Sequence, residues 1–577
     1  MLLKNLIKNI SKNEKKLFIS GISTNSEEVK KNYIFFAIKG NKNNGEKFIS
    51  KAIHKGASVI VCSKTCKIKD ENIVTIKTNK IRHLLSEVAS KFYSLKPKNI
   101  FAVTGTNGKT SVADIFYQIL MINKISAATI GTLGVKYKGK VIKTNLTSPD
   151  TVSLHKYLYF LKRKKIDNVI IEASSHGLHQ RRMHHIKFKA GIFTNLSQDH
   201  LDYHKTMRAY LNAKLILFNE ILAKGSTVIS DKEIQPFSKL KIIAKKKGHK
   251  IIDVNEYLGK ITNIRKYPTD SYKIKNLAMA SKAVSLCGLK KKLIFKSLNK
   301  IKDVNGRLEL VKTFKNNVKV FIDYAHTPDA LFQTLKFLKQ EYGDKISLVF
   351  GCGGERDKKK RPLMAKIANF SCKKIYITDD NPRNENPKKI RNQLLKYISR
   401  NKAFNIGKRE MAIKKAIQNA EPNEIILVAG KGHEEKQIYK NKTIGSLYKE
   451  LKTSPLFFQF NLGNSALLPH QIYAVNKGLD TWPIRHLFAD EVGLGKTLEV
   501  GAALAYLSIF KDVRRKVILA PQAVVKQWQT EMKTHFGLDF YVLSSNKKFW
   551  EDVTGEKIRR ETNNFTYDYT FPENVII

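Results

Sequence analysis

From about residue 15 to residue 445 one local pattern recurs: a short apolar run rich in Ile, Val and Phe, a loop, and an amphipathic helical stretch. YIFFAIKG, GASVIVCS and NIVTIKT, with the helical KFISKAIHKG among them, predict a small α/β domain over residues 15–95. NIFAVT (Asn99–Thr104) opens a longer α/β region, continued by DNVIIEAS, KAGIFTNLS and GSTVIS. Around Gly306-Arg307 the pattern restarts with VKVFIDYA, ISLVFGCGG, KIYITDD and EIILVAGKG. This alternation predicts parallel, doubly wound sheets. Ligands of such folds sit beyond the carboxyl ends of the strands, where most of the polar motifs begin.

With 577 residues the chain is long enough for several domains. Its formal charge of +56 raises a nucleic-acid or membrane hypothesis. The lysines of the first 452 residues are dispersed singly and in short runs, however, which reads as solvated faces. Charge and tryptophan divide the chain. Residues 453–577 hold 14 basic and 13 acidic residues and all three tryptophans, whereas residues 1–452 carry a net +55. All five cysteines lie in the first part, and the odd count argues against a disulfide framework. Cys62 and Cys66 have no second Cys/His pair at metal-ligand spacing and read as structural. No apolar stretch approaches the roughly 18 residues of a membrane span, and lysines interrupt every apolar run near the N-terminus. A soluble, cytoplasmic protein is expected, a monomer with no membrane partner.

Val103-Thr-Gly-Thr-Asn-Gly-Lys-Thr110 joins a strand to the helical SVADIFYQIL. Gly105 and Gly108 let backbone amides approach phosphate oxygens, and the helix N-terminus favours negative charge. Lys109 can reach the β- and γ-phosphates, and the Thr110 hydroxyl is placed to ligate Mg²⁺. Further on, Glu172 at a strand end and His200, with His176 and His204 nearby, are candidate metal ligands.

TGTNGKT, EASSHGL, FTNLSQDHLDYH, YLNAKLILF, DYAHTPDAL, GCGGERDKKKRPLM, DDNPRNENP and AGKGHEE occur in the order and spacing of the Mur ligases, which residues 18–445 resemble. The resemblance is to members that add the third amino acid of the peptidoglycan stem peptide. It implies an α/β protein of three domains: a uridine-nucleotide-binding domain (1–97), a central ATPase (98–306) and a Rossmann-like amino-acid-binding domain (307–452). It implies ATP and Mg²⁺ as cofactors and an acyl phosphate on the way to the peptide bond. Gly105, Thr106, Asn107, Gly108, Lys109, Thr110, Asn195, Arg307 and Asp323 are then expected to hold ATP. Thr110, Glu172, His200 and a carbamylated Lys214 are expected to hold metal, since an unmodified ammonium would repel Mg²⁺. Ser26, Thr147, Ser148, Ser174, Gln180 and Arg182 are expected at the UDP-N-acetylmuramoyl-dipeptide.

Asp380-Asn-Pro-Arg383 is the family's mark of members that add meso-diaminopimelate. A guanidinium binds the distal carboxylate of that amino acid bidentately and would repel the ammonium of lysine. Arg356, Asp380, Asn381, Pro382, Gly430 and Glu434 are expected beside Arg383. A lysine-adding ligase is the alternative. The first domain departs from the family pattern: D-S-R stands as Asn25-Ser26-Glu27, and D-G-H as Asn44-Gly45-Glu46.

Residues 453–577 resemble the start of a Swi/Snf-like superfamily-two helicase ATPase, a partial RecA-like lobe. Gln471 fits the adenine-reading glutamine, and Gly493, Gly495, Lys496 and Thr497 a second phosphate loop. APQAVVKQW resembles the next nucleic-acid-contact motif, but no D-E-A-H box follows up to Ile577. Hydrolysis needs such acidic residues, so a truncated fusion is expected rather than a nucleic-acid-dependent translocase.

Overall fold

The computed structural model describes all residues except 9, 41–43, 69–72, 259–260, 262–271, 315, 435, 441–442, 446–470, 472–474, 476–495, 511–515, 537, 544–548, 560–573 and 577. The chain forms two compact units, Met1–Gly407 with Pro422–His433, and Lys408–Glu421 with Glu434–Ile577.

The first unit contains three sheets. β1 (Gly21–Ser23), β2 (Tyr33–Phe36), β3 (Ala57–Cys62) and β4 (Val74–Lys77) pair in that order, all parallel. The helix Ile81–Phe92 covers them with Leu85, Val88 and Ala89, spaced as one helical face.

The central sheet consists of β5 (Asn99–Thr104), β6 (Ala127–Gly131), β7 (Gly134–Tyr137), β8 (Lys140–Ile142), β9 (Asn168–Glu172), β10 (Ala190–Phe193), β11 (Thr227–Ser230) and β12 (Lys250–Asp253). Its order is β12-β11-β10-β5-β9-β6-β7-β8. β5 is buried on both faces because its side chains alternate between two cores. Phe101 and Val103 pack under the helices Lys109–Ile122 and Tyr272–Ser285, while Ile100 and Ala102 pack under Thr151–Arg163. Near-continuous apolar runs are what such doubly covered parallel strands require.

From β5 the chain winds one way to β6, then returns so that β9 fills the gap, and continues on the other side through β10 to β12. The winding direction therefore reverses at β5. Registers of Val103 with Glu172 and of Thr104 with Phe193 bring three strand ends level at this point. The crevice expected at such a reversal is where the phosphate loop emerges.

The third sheet has the order β13 (Glu309–Thr313), β14 (Lys319–Asp323), β18 (Ile425–Ala429), β15 (Ile346–Phe350), β16 (Lys374–Ile377) and β17 (Ala403–Asn405). Uniformly parallel sheets are not what the structure has. β6-β7-β8 is antiparallel, turning at Lys138-Gly139 with φ of 43° and 76°, and β13 is an antiparallel edge. Short connections explain both, because a parallel neighbour needs a crossover of a dozen or more residues.

In the second unit, Lys516–Ile518, Asn574–Ile576, Tyr541–Leu543, Phe549–Glu551 and Lys557–Arg559 form a sheet in that order. The first three are parallel and the last two antiparallel. Ala502, Ala505, Met532, Phe536 and Ile576 share its apolar core. No described helix is long and apolar enough to cross a membrane.

Candidate active site

The loop after β5 turns on Gly108, which caps the helix Lys109–Ile122 at φ 83°, a conformation that costs a residue with a Cβ. A Cβ there would also lie 2.6 Å from the Asn276 Oδ1. The loop lines a cavity of about 350 Å³ together with side chains from β9, from the segments after β6 and β10, and from residues 303–356.

Thr106, Asn107, Gly108, Lys109 and Thr110 line this cavity, as do Thr147, Glu172, Ser174, Asn195, His200, Lys214, Arg307, Asp323 and Arg356. The Lys109 ammonium donates to the carbonyls of Gly105 (2.9 Å) and Thr106 (2.8 Å). Buried Lys214 donates to the same Gly105 carbonyl at 2.6 Å. Burial lowers the pKa of both lysines; that of Lys214 falls well below the usual ammonium range, and the neighbouring Lys109 charge adds to its fall. Asn195 holds the loop through its Oδ1, which accepts from the Asn107 amide at 2.9 Å.

Glu172 is the centre of a hydrogen-bonded run. Its Oε2 accepts from the Thr110 hydroxyl at 2.9 Å, and that hydroxyl accepts from Arg307 Nη2 at 3.1 Å. The Thr132 hydroxyl lies 2.9 Å from the same Oε2 and 3.2 Å from the Thr147 hydroxyl. Ser148 follows, with its hydroxyl donating to the Glu172 carbonyl (2.7 Å) and lying 2.9 Å from the Ser174 hydroxyl. Arg182 donates to the Ser148 carbonyl (2.6 Å) and to Gln180 Oε1 (2.7 Å). The arginine and Gln180 thus reach the site through Ser148 and do not line the cavity.

Arg307 arrives from the third sheet's side. Its guanidinium stacks on Tyr324, 4.2 Å from the ring centroid, and its Nη1 is buried without a hydrogen-bond partner. The preceding Gly306 (φ 64°) packs against the backbone of Gly432 and His433, where no Cβ would fit. Asp323, buried at the end of β14, accepts from the amides of Leu308 (2.5 Å) and Ala325 (2.6 Å). Burial raises its pKa, and Arg307 partly offsets this.

Two groups of this site carry no signal in the local sequence pattern. Thr132 follows the end of β6, a buried strand whose small residues (Ala127, Ala128, Thr129 and Gly131 around Ile130) make no conspicuous apolar run. Asp199 was a motif letter without a role. It lies 3.3 Å from His200 Nε2, 3.4 Å from His326 Nε2 and 3.9 Å from Lys360 Nζ. Burial pushes the Asp199 pKa up, but the hydrogen bond from His326, together with the other basic neighbours, outweighs it and holds the carboxyl well below the usual range. Burial lowers the His200 pKa to about 3, leaving a neutral imidazole at physiological pH.

The remaining expected residues lie apart from the cavity lining. Arg383 stands at φ 52° and donates from Nη1 to the Gly354 carbonyl at 2.7 Å. Asp380, Asn381 and Pro382 are buried beside it, and Lys431 donates to the Asn381 side chain at 2.9 Å. The Gly430 amide donates to the Asp323 carbonyl at 3.0 Å, and Glu434 belongs to the second unit. Ser26 is buried in a short turn capped by Asn25, and Glu27 is ion-paired to Lys51 and Lys55. Glu46 accepts from the Ser63 amide at 3.1 Å. The two acidic departures from the first-domain pattern are thus held by local partners. Of the second phosphate loop, Gly493 and Gly495 lie outside the described residues; Lys496 and Thr497 open the helix Lys496–Phe510, and Gln471 is buried.

Known proteins give this geometry its context. Residues 18–93 match the model "Mur ligase family, catalytic domain", residues 103–289 the "Mur ligase middle domain", and residues 306–432 the "Mur ligase, glutamate ligase domain". Residues 470–569 match the "SNF2-related domain". A protein of Rickettsia montanensis named UDP-N-acetylmuramoyl-L-alanyl-D-glutamate--2,6-diaminopimelate ligase is 40% identical over 75% of this chain and 96% of its own length. A protein of the same name from Zymomonas mobilis is 39% identical over 74% of this chain and 92% of its own. A solved structure titled as that ligase, 26% identical, covers 79% of this chain and 98% of its own, with a TM-score of 0.54. Three ordered matches over the unit that contains the cavity, and relatives spanned almost end to end, lead to one conclusion: the chain belongs to the Mur ligase family.

Proposed function

We infer that this protein is an ATP-dependent ligase that joins meso-2,6-diaminopimelate to UDP-N-acetylmuramoyl-L-alanyl-D-glutamate, in the cytoplasm, where both nucleotides are at hand. The observation that carries this reading is the continuous run Arg307–Thr110–Glu172–Thr132–Thr147, which links the phosphate loop to the Ser148–Arg182 side of the site. A ligase that activates a carboxylate must bring a triphosphate and an acid together, and this run spans both.

The substrate carboxylate attacks the γ-phosphoryl group of ATP, forming an acyl phosphate and ADP. The amine of the incoming amino acid then adds to the acyl carbon, and the tetrahedral intermediate collapses to the amide and inorganic phosphate. Charge gathers on phosphate oxygens throughout, so preorganised cations and amide donors supply the stabilisation. Lys109, the amides of residues 105–110 and Arg307 are positioned for this role. The buried, unpaired Nη1 of Arg307 fits an anion that ATP would bring. Arg182, oriented by Gln180 and Ser148, fits the acidic muramoyl-dipeptide.

The oxygen donors of Thr110 and Glu172, with the neutral imidazole of His200, fit a divalent cation. Bound there, Mg²⁺ would screen the phosphates and polarise the transferred group. Lys214 fits the same centre as a carbamate: its neutral amine adds to CO₂, releases a proton and becomes an anion. Its burial beside Lys109 supports this, since a second buried ammonium there would repel the first.

For the amino acid, Arg383 with its Nη1 fixed by Gly354 is suited to the distal carboxylate of diaminopimelate. Truncating one partner of a desolvated charge pair costs about 2–5 kcal/mol. Arg383→Ala should therefore lower kcat/KM for diaminopimelate roughly thirty-fold to several thousand-fold, at about 1.4 kcal/mol per tenfold. The poor use of lysine should fall much less. An equal fall for both amino acids would sink the role given to Arg383.

The helicase-like tail is proposed to take no part in ligation. Phosphate release from ATP should rise when muramoyl-dipeptide and diaminopimelate are added together and should not respond to duplex DNA. Stimulation by DNA without the muramoyl substrate would overturn this reading.

A further inference from the structure

Away from the cavity, the described residues include a cluster of ligating side chains for which the ligase reaction has no use: His83, Glu87 and His185. His83 and Glu87 stand one turn apart on the helix Ile81–Phe92, on the side away from buried Leu85, Val88 and Ala89. His185 comes from a loop 98 residues further along, three residues after Arg182. One ligand atom from each of the three lies within 4.8 Å of the others. The two imidazoles meet edge to face, with centroids 4.9 Å apart.

The backbone brings them together. The Ser86 hydroxyl donates to the His184 carbonyl at 2.5 Å and the Ser90 hydroxyl to the His185 carbonyl at 3.0 Å, tying the loop to the same helix. His185 holds φ at 60°, which few residues other than glycine adopt, and this turn sets the direction of its ring. Lys91 occupies Glu87 Oε1 at 2.7 Å, and the carboxylate has its second oxygen for another partner.

We propose that His83, Glu87 and His185 form a Zn²⁺ site that ties the N-terminal domain to the loop carrying Arg182. Two imidazoles and one carboxylate suit a borderline cation of this kind, whereas Mg²⁺ and Ca²⁺ favour centres in which oxygen ligands predominate. Bonds of about 2.0–2.2 Å put ligands of a tetrahedral ion about 3.4 Å apart. His83 and His185 are exposed and Glu87 half-buried, so their side chains have room to rotate towards a common ion. Water completes the fourth position. The tie spans the first and central domains, so its strength bears on how firmly Arg182 is held.

Chelator-stripped full-length protein, kept in millimolar Mg²⁺ to fill the ligase centre, would be titrated with Zn²⁺ against a chromophoric competitor. Wild type should bind one Zn²⁺ at micromolar or lower concentration, with a rise in Tm. His83→Ala, His185→Ala and the shape-conserving Glu87→Gln should weaken that equivalent by at least about a hundred-fold, beyond what loss of an outer-shell partner costs. Co²⁺ in its place should give visible absorption bands of tetrahedral intensity, absent in the variants. Circular dichroism of Glu87→Gln identical to wild type shows that lost binding is not lost folding. No micromolar Zn²⁺ binding in wild type, or the same binding in all three variants, would overturn the proposal.

Discussion

Replacing Lys109 with alanine is expected to lower ligase kcat/KM by about a hundred-fold or more, while Lys496→Ala leaves it nearly unchanged. Losing one preorganised charge-stabilising group in a water-poor site costs about 10²–10³ in rate, and Lys109 is a cation that lines the cavity directly. Its ammonium sits between the Gly105 and Thr106 carbonyls at 2.9 and 2.8 Å, with Glu172 the carboxylate that favours its charge most. Lys496 belongs to the second unit, in a segment that matches a different family. Rates of product formation for both variants, with circular dichroism to confirm folding, are the measurement. Equal losses would contradict the assignment of ligation to the first phosphate loop alone.

Lys214→Ala should lose activity on a similar scale, on the order of a hundred-fold, and should recover part of it when formate or acetate is added. The carboxylate of the additive would stand where the carbamate does in wild type. A lysine needed only for its hydrogen bond to the Gly105 carbonyl would show no such recovery, because an added anion cannot donate to a carbonyl. Activity of Lys214→Ala assayed over a range of carboxylate concentrations separates the two. Full activity without any additive would show that the modification has no role.

Most strands that line the site are legible in the sequence because they are buried on both faces and read as apolar runs; Asn99–Thr104 and the runs ending at Glu172 and Asp323 are examples, whereas the small residues of β6 hide an equally buried strand. The glycines of the phosphate loop were legible because backbone conformation and close approach restrict residue choice there. What the pattern could not carry was order across the sheet. That β9 lies between β5 and β6 decides that Glu172 faces Thr110, and no local period encodes it. The antiparallel β7 and β8 passed unseen because their residues are half exposed and lysine-rich, which blurs the alternation that a one-sided strand should show. Asp199 was missed for a similar reason: its partners His326 and Lys360 come from more than 120 residues away. The acidic residues at 27 and 46 looked like losses against a family pattern, and their local partners appear only once the chain is folded.

The central claim is that this chain adds diaminopimelate to a muramoyl-dipeptide. Its most direct test offers the full-length protein ATP, Mg²⁺ and UDP-N-acetylmuramoyl-L-alanyl-D-glutamate with equimolar meso-diaminopimelate and L-lysine, and identifies the product by mass. The account predicts an ATP-dependent product carrying diaminopimelate almost alone. A product carrying mainly lysine, or none that depends on ATP, would contradict it.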